Sequence, residues 1–290
     1  MAEEAWGRWG ADDERGALNL IGEGEVRSAA ALVRTGKVFA LAQPISDRMM
    51  IPAHRPRVSH FMARDGGDYA AGSRQPGGFQ FAEDTLVLPV HLGTHIDGLC
   101  HAWCGRKLYN GVPDTEIRST GAGRLSVHRF PPIVTRGVLL DFVALAGGPL
   151  PDGESIGRDR LEQAYRQAGT EPRRGDAVLL RTGWQEAHEG RGSADFNAEP
   201  GLNSEAGLFL AERDVALIGA DNYAVEVLPF PPGEIFPVHQ RLIRDYGIPL
   251  LEGLVLKPLA ESGARDFLFM AAALPIVGGT GSPLTPVAVL

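Results

Sequence analysis

Residues 159–181 read Asp159-Arg-Leu-Glu-Gln-Ala-Tyr-Arg-Gln-Ala-Gly169-Thr-Glu-Pro-Arg-Arg-Gly-Asp176-Ala-Val-Leu-Leu-Arg181, and their reading decides the fold class. Residues 159–168 predict a helix ended by Gly169, the residue that most easily turns left-handed at a helix terminus. Residues 176–181 then predict a strand. The same alternation continues outward. Upstream, 138–142 predicts a strand. Downstream come a helix at 204–213, a strand at 215–219, a helix around 235–246 ending at Gly247, and a strand at 250–256. The runs 266–274 and 286–290 add further strands. Strand and helix alternating at this spacing argue an α/β fold.

Nearer the N-terminus, 25–35 predicts a helix stopped by Gly36, and 37–42 a strand. Residues 1–20 carry Trp6-Gly-Arg-Trp9-Gly10 without any period and are expected to form an ordered arm. Residues 64–83, rich in glycine, form the clearest loop; a loop this long in a compact domain is usually a lid or binding loop, and it is expected to border the active site. A strand at 85–90 follows. There is no internal repeat and no shift of composition that would mark a linker, so residues 1–290 are expected to form one domain.

The chain has 290 residues, 44% of them hydrophobic, with 37 glycines and 21 prolines. Surface scaling lets a chain of this mass bury roughly 73% of its extended surface, enough for a core without disulfides. The net charge of −8 counts against nucleic acid or an anionic membrane as the main partner, because both need a basic face. The start, Met1-Ala-Glu-Glu-Ala-Trp6, is acidic where a secretion signal is basic, and the longest apolar run, 267–277, is too short to span a bilayer. Only two cysteines occur, Cys100 and Cys104. A disulfide framework is not expected and a cytoplasmic location is.

The chemistry concentrates in His91-Leu-Gly93-Thr94-His95-Ile-Asp97-Gly-Leu-Cys100-His101. Two imidazoles and a carboxylate are a common ligand set for catalytic Zn, Mn or Fe, since three protein ligands leave positions for water and substrate. A straight strand would put His91 and Asp97 about 20 Å apart. On a straight helix Asp97 would lie about 200° round from His95. A strand bent at Gly93-Thr94 closes the set, and glycine is the residue that permits the bend.

This segment resembles the His-x-Gly-Thr-His-x-Asp-x-Pro-x-His signature of the metal-dependent cyclase family, which includes bacterial kynurenine formamidase and isatin hydrolase. The resemblance extends to residues 9–19, to Ile218-Gly-Ala-Asp221-Asn222 and to residues 239–252. It implies a swivelling β/β/α fold, with a mixed or barrel-like β core flanked by helices, and assembly into homodimers or homotetramers. It further implies a cofactor of one or two divalent ions, Mn or Zn. By the same resemblance His91, His95 and Asp97 bind metal, His239 and Glu252 complete a second site with Asp97 bridging, and His101 is the general acid/base. The signature proline is Leu99 here, and the aromatic that often follows the last histidine is Ala102.

The activity implied is hydrolysis of an amide or lactam C–N bond, or of an ester or lactone, in a small aromatic or cyclic substrate. Two rivals use the same residues: a metal-dependent lyase or cyclase without net hydrolysis, and an Fe(II) oxygenase built on His95, Asp97 and a distant His239. A non-catalytic metal-binding protein is the third. His60, Phe61 and Trp103 are candidate substrate contacts. Thr94 and the Gly98 backbone are candidates for orienting the ligands. Cys100 and Cys104 read as ordinary free cysteines, and Asp221, at a strand end, reads as a helix N-cap.

Overall fold

In the computed structural model, residues 5–72, 75–188 and 195–290 are described. The apolar runs of the second half have no polar face to offer water, so they become the interior of a parallel sheet covered on both sides. In chain order the strands that matter are β1 (Val38–Ala40), β2 (Ser59–Arg64), β3 (Glu83–Val87), β4 (His95–Asp97), β5 (Ile133–Asp141), β6 (Ala177–Arg181), β7 (Leu217–Ala220), β8 (Leu250–Glu252), β9 (Asp266–Ala271), β10 (Gly281–Pro283) and β11 (Val287–Val289). Nine of them form one mixed sheet in the order β1-β11-β9-β5-β6-β7-β8-β4-β10, curled into a half-barrel. Strands β5, β6, β7 and β8 run parallel; β4 and β10 on one flank, and β9, β11 and β1 on the other, are antiparallel to their neighbours.

Helices α1 (Glu23–Ala30), α2 (Arg158–Ala168) and α3 (Ser204–Ala211) pack beside the sheet. Side chains alternate between faces with the period of the strand. Val138, Leu140, Val178, Leu180, Ile218 and Leu250 pack into one core with Leu161 and Tyr165 of α2 and Phe209 and Leu210 of α3. Leu139, Leu179, Leu217, Leu251 and Ile96 point the other way, into a second core with Phe267 and Phe269. Gly169 ends α2 in the left-handed conformation, as the sequence predicts.

Several boundaries differ from the sequence reading, each for a local reason. The strand expected at 250–256 stops at Glu252, because Gly253 takes a φ of +64° and turns the chain. The helix expected at 235–246 is a single turn, α4 (Pro237–His239), continued by a π-helix at Gln240–Asp245. The strand expected at 85–90 ends at Val87 and pairs only with β2, in an exposed hairpin outside the main sheet. Pro89, just beyond, has no N–H for a ladder.

The tip of that hairpin carries structure of its own. Asp65 caps a short helix at Gly66–Ala70, and the Tyr69 hydroxyl bridges the backbone N–H and C=O of Phe81. The rest of the N-terminal region is strapped to the body. Trp6 Nε1 donates to the Arg244 carbonyl at 2.7 Å, and Ala17 N to the Gly247 carbonyl at 2.7 Å. Among the described residues, no helix is long and apolar enough to cross a membrane.

Candidate metal centre

The centre is built on β4. Residues two apart on a strand share a face, so His95 and Asp97 point together into the site while Ile96 packs into the core behind them. The ladder places Glu252 of β8 directly opposite His95 and Gly281 of β10 opposite Asp97. Glu252 is in phase with Leu250, on the helix-covered face, at the carboxyl end of a parallel strand, where α/β folds bind their ligands.

His91 joins through the bend. Gly93 has a φ of +53°, a left-handed value that costs glycine nothing, and His91 Nε2 comes to 3.3 Å from Asp97 Oδ1. The cradle is tight. A Cβ on Gly281 would stand 2.6 Å from His91 Nε2, and one on Gly253 would stand 2.4 Å from the Gly93 carbonyl. Thr94 fastens the bend to the end of β8: its hydroxyl donates to the Gly253 carbonyl at 2.6 Å and accepts from Gln43 N at 2.9 Å. Gly98 N donates to the Thr280 carbonyl at 2.8 Å. The Gly93 carbonyl accepts from His95 Nδ1 at 2.9 Å, which leaves Nε2 free to face the site.

His239 arrives from α4. Its Nε2 lies 3.3 Å from Glu252 Oε1 and 3.8 Å from Asp97 Oδ2, while His95 Nε2 lies 3.0 Å from Glu252 Oε2. Two ligands each about 2.1 Å from one ion stand roughly 3–4 Å apart, so this spacing suits shared cations. Two overlapping groups emerge, His91–Asp97–His101 and Asp97–His239–Glu252, with Asp97 common to both. The His101 ring lies 4.1 Å from that of His91 and 6.3 Å from that of His239.

The decisive property is what these atoms lack. His91 Nε2, His95 Nε2 and both oxygens of Asp97 are buried without a hydrogen-bond partner. Buried polar groups are normally paired, and leaving one unpaired costs about 1–3 kcal/mol. Imidazole nitrogens and carboxylate oxygens converging without donors between them are what a divalent cation requires, so the residues present fit such an ion.

Charge is finely divided within the cluster. Burial would raise the Glu252 carboxyl, but His239 and His95 overcome it and hold the pKa below the ordinary glutamate range. Burial likewise opposes charge on His239 and His95, yet Glu226 with Glu252 raises the first, and Glu252 with Asp97 raises the second. His91 is pushed down to about 2, chiefly by burial and then by His101, His95 and Arg55. Burial also lowers His101, keeping its imidazole neutral at pH 7.

One supporting residue was not anticipated. The buried Glu226 carboxylate accepts from His239 Nδ1 at 2.5 Å, His239 N at 2.9 Å and Val238 N at 3.1 Å. It fixes which ring nitrogen of His239 faces inward, a common arrangement behind metal-binding histidines. The available signal was an acid inside the apolar run Ala224-Val-Glu226-Val-Leu228. Asp221 is not a helix N-cap. It is buried at the end of β7 and accepts from Thr182 N, Thr182 Oγ1 and Gly183 N, pinning the loop after β6. Cys100 is fully buried with its thiol pushed up to about 12 by burial, so it belongs to the core; Cys104 is exposed.

The candidate substrate contacts are all exposed side chains. His60 and Phe61 are on the exposed β2–β3 hairpin, where His60 pairs with Asp84 at 2.7 Å. Trp103, two residues past His101, is 40% exposed. Among the described residues, the hydrogen bonds of 65–82 close within that segment.

Similarity to known proteins agrees with this geometry. Residues 39–227 match the Cyclase family, described as "Putative cyclase". Kynurenine formamidase of Bacillus cereus is 31% identical over 203 residues, 70% of this chain and 77% of that protein. Isatin hydrolase of Roseibium aggregatum is 27% identical over 223 residues, 72% of this chain and 75% of its own. A crystal structure of a novel cyclase superposes with a TM-score of 0.91 at 36% identity, covering 99% of this chain and 98% of the other. An isatin hydrolase bound to the product analogue thioisatinate shares the fold, with a TM-score of 0.65 at 20% identity over 93% of this chain and 99% of the other. With the profile matched across its histidine cluster and most of its length, the chain belongs to the cyclase family.

Proposed function

We propose that this protein is a metal-dependent hydrolase that opens an amide or lactam C–N bond of a small aromatic or cyclic substrate. The observation that carries the reading is the buried, unpartnered Asp97 carboxylate with His91 Nε2 at 3.3 Å and His95 Nε2 at 3.7 Å from its Oδ1. Its relatives' names, kynurenine formamidase and isatin hydrolase, support that bond class.

In this reading His91, His95 and Asp97 hold one divalent ion, and His239 and Glu252 with Asp97 hold a second. A set mixing imidazoles with carboxylates suits Zn or Mn. When bound, such an ion lowers the pKa of its water toward 7 and polarises the carbonyl under attack. His101, neutral because it is enclosed, would accept a proton at an imidazole nitrogen and return it to the leaving nitrogen. Glu226 and the Gly93 carbonyl keep the Nε2 atoms of His239 and His95 aimed inward. The exposed apolar side chains of the hairpin, Phe61, Met62, Leu86 and Val87, support a homodimer or homotetramer, and the two cysteines left unpaired support a cytoplasmic location.

The test is a screen of formanilides, isatin and small lactams in H₂¹⁸O with metal-loaded protein. Hydrolysis requires ¹⁸O in the product. Turnover without label sinks hydrolysis in favour of a lyase, and O₂ consumption dependent on Fe(II) would replace it with an oxygenase. His101→Asn is expected to retain metal and lose turnover; loss of bound metal in that variant makes His101 a ligand instead.

A further inference from the structure

We propose that Arg55 is a substrate-binding residue that receives a carboxylate, so that this enzyme favours amides carrying a carboxylate beside the bond to be cut. The proposal rests on the hydrolase reading above and names its substrate class more closely.

Arg55 lies on the connection between β1 and β2, which packs against the His91–Gly93 bend. Its Nη1 donates to the main-chain carbonyl of His91, so the guanidinium is seated against the backbone of a cluster residue. Two neighbours on the same connection anchor it. Met50 O accepts from the buried Tyr223 hydroxyl at 3.1 Å, and the Met49 side chain lies against Gly93. Through its bond to the His91 carbonyl the guanidinium sits against the bend that carries His91 and Gly93.

What sets Arg55 apart is its lack of a counterion. Arg136 is enclosed and paired with Asp176, and Arg181 with both Asp141 and Glu186. Arg55 is half-buried, and among the described residues its one hydrogen-bond acceptor is a neutral carbonyl, with no carboxylate in ion-pair range. The remaining N–H donors form a planar fork that matches a carboxylate in two parallel bonds.

The experiment compares N-formylanthranilate with its neutral counterpart formanilide, in the metal-loaded wild type, Arg55→Ala and Arg55→Lys. Binding of anthranilate and of aniline to the same proteins is followed by calorimetry. A charge-assisted pair predicts that Arg55→Ala loses about 10- to 100-fold in kcat/KM on the carboxylate substrate, mainly through KM. On formanilide it stays within about threefold, and Arg55→Lys recovers part of the loss. Anthranilate affinity should fall in step. An equal loss on both substrates would mean that Arg55 only braces the His91 backbone, and overturns the proposal. Undiminished anthranilate binding in Arg55→Ala overturns it too, because the carboxylate is then held by the metal alone. If the wild type hydrolyses neither amide, the formanilides are not its substrates, the hydrolase reading is left to the lactam screen, and the calorimetry decides the role of Arg55 by itself.

Discussion

Two buried polar clusters sit in the same sheet and are built on opposite terms. Around Arg136, the guanidinium and the carboxylate it faces are both held by hydrogen bonds. Its guanidinium donates to both Asp176 oxygens at 2.9 and 2.6 Å, to Thr170 Oγ1 at 2.9 Å and to the Glu171 carbonyl at 2.9 Å, while Asp176 also accepts from Arg173 N. Around Asp97 the outer atoms are satisfied and the inner ones are not. Gly93 O and Glu226 occupy the Nδ1 atoms of His95 and His239, but His91 Nε2 and both Asp97 oxygens have no hydrogen-bond partner. The first cluster is complete without a ligand and holds the fold. The second is complete only with one, which is how a binding centre differs from a structural ion pair.

That contrast can be broken by mutation. The largest effect is expected from Asp97→Ala, which removes the carboxylate common to both ligand groups. Metal analysis should find the bound ion lost and turnover abolished, while the melting temperature of the chelated protein changes little. Undiminished metal in the variant would sink the assignment. Asp176→Ala should behave in the reverse way. It leaves the enclosed Arg136 with only the more distant, half-exposed Asp266 at 3.8 Å, at a cost of up to about 3–5 kcal/mol in denaturant unfolding, with the metal stoichiometry of the folded fraction unchanged.

A smaller effect is expected behind His239. Glu226→Gln should weaken metal binding about 10- to 100-fold in competition titrations with a chromophoric chelator, the usual result of removing the partner of a ligating histidine. Affinity equal to wild type would show that the backbone alone orients His239.

The pH dependence should separate the loaded from the chelated protein. His95 and His239 are raised above 6.5 when the chelated protein folds. The stability they contribute is full below 6.5 and is lost as pH rises through their folded values. Glu252 is lowered, so its contribution is present above about 4.5 and is lost only as pH falls through its folded value. The chelated protein therefore loses stability above pH 6.5. The metal-loaded protein runs against this trend, since each proton lost frees a ligand. The gap between the two melting temperatures should widen from pH 6 to 9; a constant gap would contradict competition between protons and metal. The smallest effect is expected at the exposed hairpin, where His60→Ala, removing a solvent-screened pair with Asp84, should change stability by less than about 0.5 kcal/mol.

Much of this was legible in the chain. Alternating helix and strand patterns are local, so the parallel core of β5 to β8 and the ends of α2 could be read from residues a few positions apart. The ligand candidates of 91–101 were legible for the same reason: they are neighbours in sequence, and Gly93 marks the bend between them. His239 and Glu252 are ordinary residues by local pattern, and only their likeness to a known family singled them out. Strand β3 ends at Val87 instead of running to residue 90, and its pairing with β2 is a contact between distant segments that the local pattern does not carry.

The sequence by itself determined the α/β class, the residue types able to hold a divalent ion, and the acidic charge that disfavours polyanions. Tertiary structure decided which of them meet. Register across β8, β4 and β10 sets Glu252 opposite His95 and Gly281 opposite Asp97. Residues more than a hundred positions away supply His239, Glu226 and Glu252, and a separate connection supplies Arg55. The reason is physical: a ligand atom is useful only within a few ångströms of the others, and distances that short across the chain are set by packing and strand pairing rather than by local propensity.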